Sequence, residues 1–255
     1  MVNGLNVFRD YFKDFPDNYI IIGGTACDII IDAAGFTPRA TKDIDIILII
    51  EVLSLKFVAR FWDFIRDGQY GKTEKNEDDR KYYRFSKPQN ANFPYQVELF
   101  SRKPDLLDIP EGIHLTPIPV DDDLSSLSAI LMNDEYYDYT HTHCTDDGGL
   151  KRANTEALVC LKAKAYLDMV MRRGKGEKVD EKHIRKHKAD VFRLCVTLAA
   201  DAIFELPQSI QEDMQVFADT VKDQLPDKTI FEQMGLRNIN SATLFQQLMT
   251  SFRLN

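Results

Sequence analysis

The sequence predicts an α+β fold: a mixed β-sheet flanked by helices in residues 1–150, followed by a helical C-terminal subdomain in residues 151–255. Three observations lead there. Two apolar runs of strand length, Tyr19–Ile22 and Asp43–Ile50, are separated by a glycine-opened helical stretch. Helix and strand patterns then alternate as far as Phe100. Beyond residue 150 the pattern becomes helical throughout, which sets the expected boundary. A chain of 255 residues suffices for one large domain or two small ones.

Each element has a local reason. Leu5, Phe8, Phe12 and Phe15 form one stripe, which predicts a short amphipathic helix over residues 4–15. Tyr19–Ile22 predicts a buried strand. Gly23 and Gly24 open a predicted helix over Thr25–Ala34, and Gly35 is placed to stop it. Asp43–Ile50 is the second strand; its apolar run from Ile47 to Ile50 is unbroken, as in a strand covered on both sides. Ser54–Arg66 predicts a helix with Phe57, Phe61 and Phe64 among its apolar positions. The polar, charged stretch 67–81 predicts a loop, and Tyr82–Phe85 and Tyr95–Phe100 predict strands. From Ile113 to His143 short strands and turns are expected, with residues 125–132 ambiguous. Asn154–Met171 and Glu181–Ala200 predict long helices. Ser209 and Glu212 have the spacing of a capping box before a further helix, and Ser241–Phe252 predicts the last one.

Composition excludes several classes. Hydrophobic content of 44% and charged content of 28% are those of a soluble globular protein. No apolar run approaches the ~20 residues that cross a bilayer, so no membrane partner is expected. The first residues, Met1 to Asn6, lack the basic and apolar regions of a signal peptide, and a cytoplasmic location is expected. Cys27, Cys144, Cys160 and Cys195 show no paired-ligand spacing and are expected to be buried free thiols. The net charge of −8 conceals an asymmetry. Residues 105–147 hold eleven Asp or Glu and no Lys or Arg, whereas residues 151–190 hold twelve Lys or Arg against six Asp or Glu. Anionic partners would be steered to the second region; solvated helix faces are the alternative reading.

The chemistry concentrates in residues 19–50. Gly23 and Gly24 follow a strand and open a helix, where a backbone without Cβ atoms and with unpaired N–H groups can approach a phosphate; Thr25 adds a hydroxyl. Asp43 and Asp45 point to one face of their strand, and two like charges side by side call for a cation. Magnesium suits them, with oxygen ligands completed by substrate phosphates. Strand-end aspartates capping the next turn are the alternative. Glu98 shares a strand face with Gln96 and Phe100; beside the aspartates it would complete a metal site or accept a proton from an attacking hydroxyl. On an exposed edge strand it would simply be solvated.

Gly23-Gly24-Thr25, then Arg39-Ala40-Thr41-Lys42-Asp43-Ile44-Asp45-Ile46, then Glu98, resembles the DNA polymerase beta-type nucleotidyltransferase superfamily. Within it the chain looks like the AbiEii-type nucleotidyltransferases, some of which are toxins of toxin–antitoxin pairs. Residues 158–168 and 186–194 are similar to that family's later lysine and aspartate motifs, so the resemblance touches most of residues 20–200. Eighteen residues separate Gly24 from Asp43, more than the superfamily's usual spacing but within what the AbiEii-like branch tolerates. The resemblance implies a nucleotidyltransferase core. In it Asp43, Asp45 and Glu98 hold Mg2+ (or Mn2+) over a nucleoside triphosphate such as ATP, Gly23, Gly24, Thr25 and Lys162 bind the nucleotide, and Lys162 and Asp190 join the three carboxylates in catalysis. Residues 201–255 carry no motif of the family.

Helical geometry sorts the basic residues. Lys162 projects into an apolar arc and needs an anion, for which a triphosphate is a candidate; a stem snorkelling to solvent is the alternative. Lys164 projects near Asp168 and reads as a surface ion pair. Ile184, His187, Val191 and Cys195 form a core stripe, which makes His187 a packed histidine. Lys188 and Asp190 lie about 200° apart, and Asp190 is preferred on the resemblance; its alternative role is to hold a nearby lysine or arginine. His141 and His143 could alternate on a strand face, but without a second ligand pair they read as structural. Tyr136, Tyr137 and Tyr139 could stack on a base, but interior packing is the expected fate of such a cluster.

The sequence thus points to a metal-dependent enzyme moving a nucleoside monophosphate to an acceptor hydroxyl, with release of pyrophosphate. The acceptor would be a tRNA end, a protein or a small molecule, and a cognate antitoxin is a possible partner. A catalytically silent nucleotide- or partner-binding protein on the same scaffold is the alternative.

Overall fold

The computed structural model describes residues 2–75, 82–100, 115–117, 130 and 133–255. In chain order the strands are β1 (Tyr19–Ile22), β2 (Asp43–Leu48), β3 (Tyr70–Lys75), β4 (Tyr82–Pro88), β5 (Gln96–Phe100), β6 (Leu115–Pro117), β7 (Cys144–Asp146) and β8 (Lys151–Ala153). The helices are α1 (Leu5–Phe12), α2 (Gly23–Ala33), α3 (Leu55–Gly68), α4 (Asp134–Thr142), α5 (Thr155–Gly174), α6 (Glu181–Cys195), α7 (Gln208–Val221), α8 (Thr229–Glu232) and α9 (Ser241–Ser251). The fold is mixed α/β, as predicted.

The chain forms two compact units that interleave along the sequence. The sheet unit comprises Met1–Asp28, Ala40–Val120 and Cys144–Ala153; the helical unit comprises Ile29–Arg39, Asp121–His143 and Asn154–Asn255. A single cut near residue 150 therefore misses two segments that belong with the C-terminal helices. One of them is tied there by a backbone bond from Thr37 N–H to the Met234 carbonyl.

The sheet has eight strands in the order β6-β3-β4-β5-β2-β1-β8-β7. β2 lies antiparallel to β1 and parallel to β5, with Ile22 opposite Asp45 and Asp45 opposite Glu98. Because side chains alternate along a strand, this register sorts the sheet into two faces. One carries Tyr19, Ile21, Ile44, Ile46, Val97 and Phe85, all fully buried. An aromatic layer from α1 and α3 covers it: Phe8 and Phe12 meet Tyr19, and Phe61 and Trp62 meet Phe85. The other face carries Asp43, Asp45, Gln96, Glu98 and Arg84. That face also carries Ile20, Ile22, Ile47 and Phe100, all buried, so the polar side chains sit in an otherwise apolar layer.

In the helical unit α5 packs on α6 and α7, with Leu158, Leu161, Val191, Leu194, Met214 and Phe217 buried.

Several expectations needed correction. The predicted loop over residues 67–81 contains β3, which pairs with β4 and β6 through the backbone; main-chain ladders leave no apolar alternation to read in a polar stretch. Residues 76–81 lie outside the described residues, as do residues 125–132 apart from Ile130. Where strands and turns were expected, α4 is a helix: the Asn133 side chain accepts from the N–H groups of Glu135 and Tyr136, and that cap overrides the strand propensity of the tyrosines. The hairpin of β7 and β8 was not foreseen. α2 begins at Gly23, two residues early, and α6 ends at Cys195, short of Ala200. The capping box fails because α7 starts before Ser209, whose hydroxyl instead donates to Glu135.

Candidate functional site

The register of β2 and β5 puts Asp45 and Glu98 side by side on the polar face of the sheet. Burial pushes the Glu98 pKa well up, the neighbouring Asp45 charge adds to this, and Arg84 pulls the other way. Arg84 Nε and Gln96 Nε2 each donate to Glu98 Oε1 at 2.7 Å. Arg84 reaches it from β4, where it stands opposite Glu98.

Gly23 sets how closely the chain approaches Asp45. Its φ is +67°, and a Cβ there would sit 1.8 Å from Asp45 Oδ2. Only glycine leaves the carboxylate that space. Beyond Gly23, the first N–H groups of α2 have no partner within the helix, and Gly24 is half-exposed among them.

Thr25 is fully buried, and its hydroxyl donates to the backbone carbonyl of Asp43. Asp28 accepts from Thr41 N–H at 2.9 Å and from its hydroxyl at 3.0 Å. Together they fasten the entrance of β2 to the first turn of α2. The structure therefore gives Thr25 an anchoring contact. Asp43 stands on the same face as Asp45, opposite Gln96, and is half-buried.

Among the described residues, no group of three or more His, Cys, Asp or Glu side chains is arranged to hold a metal ion by itself. Magnesium does not need one, because it is commonly held by one or two carboxylates together with substrate phosphates. Asp45 and Glu98 fit that role: they are hard oxygen donors whose mutual repulsion a divalent cation would relieve.

Lys162 and Asp190 both belong to the helical unit, where the structure brings them together. Asp190 is 3% exposed, and its Oδ2 lies 3.8 Å from Lys162 Nζ and 3.5 Å from Arg39 Nη2. Arg193 Nη1 donates to Oδ1 at 3.1 Å. Burial alone would raise the Asp190 pKa, but Lys162, Arg39, Arg193 and Lys186 outweigh it and hold the carboxyl below its usual value. The anion that Lys162 requires is thus Asp190, and Asp190 takes the role of organising cations.

Lys164 does not pair with Asp168. Its Nζ lies 2.7 Å from Asp213, while Asp168 faces Arg172. His187 is buried, as its place on the core stripe predicts. His141 and His143 end a helix instead of lining a strand, and His143 stacks on Tyr139 with ring centroids 4.0 Å apart. Tyr136, Tyr137 and Tyr139 are buried. All four cysteines are free thiols; three are buried and Cys144 is half-buried.

Sequence reasoning missed Arg84, Asp28, Thr41 and Arg39. Arg84 becomes visible only once β4 is registered on β5, and Arg39 only once its loop is placed. Arg193 carried a signal that could have been used, since it lies three residues after Asp190 on one helix.

No model of a known family matches the chain, and no curated protein matches it. Among solved structures, the chain is similar to an antigenic nucleotidyltransferase-like protein from Paracoccidioides brasiliensis, with 13% identity and a TM-score of 0.42 over 93% of this chain and 96% of that one. It is also similar to the Megavirus polyadenylate synthase, with 12% identity and a TM-score of 0.40 over 87% of this chain and 36% of that one. Likeness at this level carries no weight for activity or for the AbiEii branch.

Proposed function

We propose that the protein is a metal-dependent nucleotidyltransferase that moves a nucleoside monophosphate from a nucleoside triphosphate to an acceptor hydroxyl. One observation carries this reading: Asp45 and Glu98 stand abreast on parallel neighbours, with the Gly23 turn against Asp45 and the half-exposed Gly24 at the start of α2 beyond it. The order is that of a phosphate cradle beside a cation-seeking carboxylate pair.

In this mechanism the N–H groups at the start of α2, with Gly23 and Gly24, receive the triphosphate. Asp45 and Glu98, completed by the triphosphate oxygens, would hold Mg2+ or Mn2+, with Asp43 two residues along the same strand face. The bound cation supplies charge stabilisation for the entering and leaving oxygens. The acceptor oxygen bonds to the α-phosphorus, the bond to pyrophosphate breaks, and the hydroxyl proton passes to a carboxylate of the pair in its ionised form. Thr25, Asp28 and Thr41 keep the strand entrance from shifting. The acceptor is an RNA end, a protein or a small molecule, and the excess of six positive charges in residues 151–190 favours RNA. The reading extends to a cytoplasmic toxin paired with a cognate antitoxin.

The test is incubation with each labelled triphosphate, Mg2+ and total tRNA, following label onto RNA or the protein. Asp45→Asn is expected to reduce transfer by roughly a thousandfold while the fold persists. Equal transfer by the variant would end the proposal.

One observation favours a second reading, a catalytically silent nucleotide- or partner-binding protein. Arg84 and Gln96 already satisfy Glu98 Oε1 without a metal. Such a protein would show nucleotide-induced thermal shifts and no turnover.

A further inference from the structure

A second concentration of charge lies wholly within the helical unit. Lys182, Arg185, Lys186, Ala189 and Arg193 recur at three- and four-residue intervals along α6 and so share one face. With Arg39 and Lys188 they line a cavity of about 430 Å³. Six of its lining side chains are therefore cationic, and Asp227 is its one carboxylate. Leu225, Pro226 and Ile230 close it with apolar surface.

The cations differ in what neutralises them. Arg39 and Arg193 lean on the buried Asp190. Arg193 also donates from Nη2 to Gln233 Oε1 at 3.3 Å, whereas Arg39 is about one-third exposed at 31%. Among the described residues no ion pair involves Lys182, Arg185 or Lys188; Lys188 Nζ donates to the neutral carbonyl of Gln224 at 2.7 Å. Burial lowers the Lys188 pKa. Asp227 is fully exposed, and its carboxylate already accepts from Thr229 N–H at 2.9 Å.

We propose that this cavity binds a compact oligophosphate, a free small molecule with two or more phosphate groups in series. Three features select that class. The volume falls within the range of small-molecule sites, about 300–1,000 Å³, and is too confined for a nucleic-acid duplex. The cations spread along the helix face, Lys182 and Arg193 being about 16 Å apart at ~1.5 Å per residue, so several anionic groups in a row engage more of them than one does. Arginine forks and lysine ammoniums provide the charge-assisted bonds that phosphate oxygens accept, and the apolar wall strengthens them by excluding water. The site uses none of Asp43, Asp45 or Glu98, although two of its arginines pair with Asp190.

Calorimetric titration of the full chain with sodium tripolyphosphate, with EDTA present to remove divalent cations, tests it. Saturable one-to-one binding is expected. The double charge reversal Lys182→Glu/Arg185→Glu, at two exposed positions, should weaken it at least about tenfold. The milder Arg185→Ala should weaken it about threefold and serves if the double variant fails to fold. Asp45→Asn should bind tripolyphosphate as the wild type does, whatever happens to transfer. Absence of saturable binding, or unchanged affinity in both cavity variants, would overturn the proposal. So would sulfate binding as tightly as tripolyphosphate, which would mean a single-anion site. A single-stranded RNA oligonucleotide that binds far more tightly than tripolyphosphate and depends on Lys182 and Arg185 would also overturn it in favour of a nucleic-acid surface.

Discussion

Glu98 in the sheet unit and Asp190 in the helical unit are both buried, yet their pKa values shift in opposite directions. Glu98 has a carboxylate, Asp45, on the next strand and a single guanidinium, Arg84, across from it; burial and repulsion win, and its pKa goes up. Asp190 has Lys162, Arg39 and Arg193 within 3.8 Å; attraction wins over burial, and its pKa goes down. Burial sets the stakes and the neighbours set the sign. The first arrangement sets two carboxyl groups against one guanidinium, and on the proposed reading takes a cation. The second sets one carboxylate against three cations, and on the proposed reading neighbours an anion site.

The largest expected effect breaks the second arrangement. Asp190→Ala leaves Lys162 and Arg193, both nearly buried, without their counter-ion, and should destabilise the protein by about 3–5 kcal/mol in urea denaturation. Its pH dependence has a fixed sign. The pKa of Asp190 is lowered on folding, so its contribution is present above the unfolded value near ~3.9 and is lost as pH falls through the folded value. Wild type should lose more stability than Asp190→Asn as pH falls below about 4. Parallel acid unfolding of the two would show that the cations do not act through Asp190.

Next comes the glycine that makes room for Asp45. Gly23→Ala places a methyl group on Oδ2 in a left-handed conformation, where strain alone is about 1–2 kcal/mol. A loss of roughly 2–3 kcal/mol is expected once Asp45 is displaced, together with loss of any Mg2+-induced thermal shift. A fully stable variant that retained the Mg2+ response would mean that the Gly23 approach does not shape the site.

Both units were partly legible in the sequence, for different reasons. Asp43 and Asp45 could be placed on one face because strand periodicity is local, and Glu98 and Gln96 likewise. That Glu98 neighbours Asp45 depends on β5 pairing with β2, a long-range choice that no spacing encodes. Arg84 is hidden by the same step. In the helical unit, the apolar arc around Lys162 announced a buried lysine in need of an anion, but the helix pattern cannot say that the anion is Asp190 on the next helix. Thr25 shows the limit of motif reasoning: a hydroxyl after two glycines resembles a phosphate ligand, while its buried position gives it to the Asp43 carbonyl. Polar β3 and tyrosine-rich α4 were misread because backbone pairing and an Asn133 cap outweigh residue type.

A smaller effect sharpens the first arrangement. Since folding raises the pKa of Glu98, wild type should lose stability as pH rises above the unfolded value near ~4.3 towards the folded value, and Glu98→Gln should flatten that slope. Mg2+ should reverse the trend, because binding requires the ionised carboxylate: its thermal shift should be larger at pH 8 than at pH 5.5, by about 2–4 °C for each kcal/mol involved. An equal shift at both values would place metal binding elsewhere.

The smallest effect supplies the control. Lys164 lies two residues after Lys162 on α5 but meets Asp213 at 2.7 Å with its side chain 33% exposed. Solvent screens that pair, so Lys164→Ala should change stability by about 0.5 kcal/mol or less. Tyr136 keeps its own bond to Asp213 at 3.0 Å in the variant. A double-mutant cycle over Lys164 and Asp213 should therefore give a coupling well below that of Lys162 with Asp190, although the latter pair is longer at 3.8 Å. The shorter contact being the weaker one follows directly if surroundings, and not distance, decide the energetics of these charges; equal couplings would remove the contrast between the two environments.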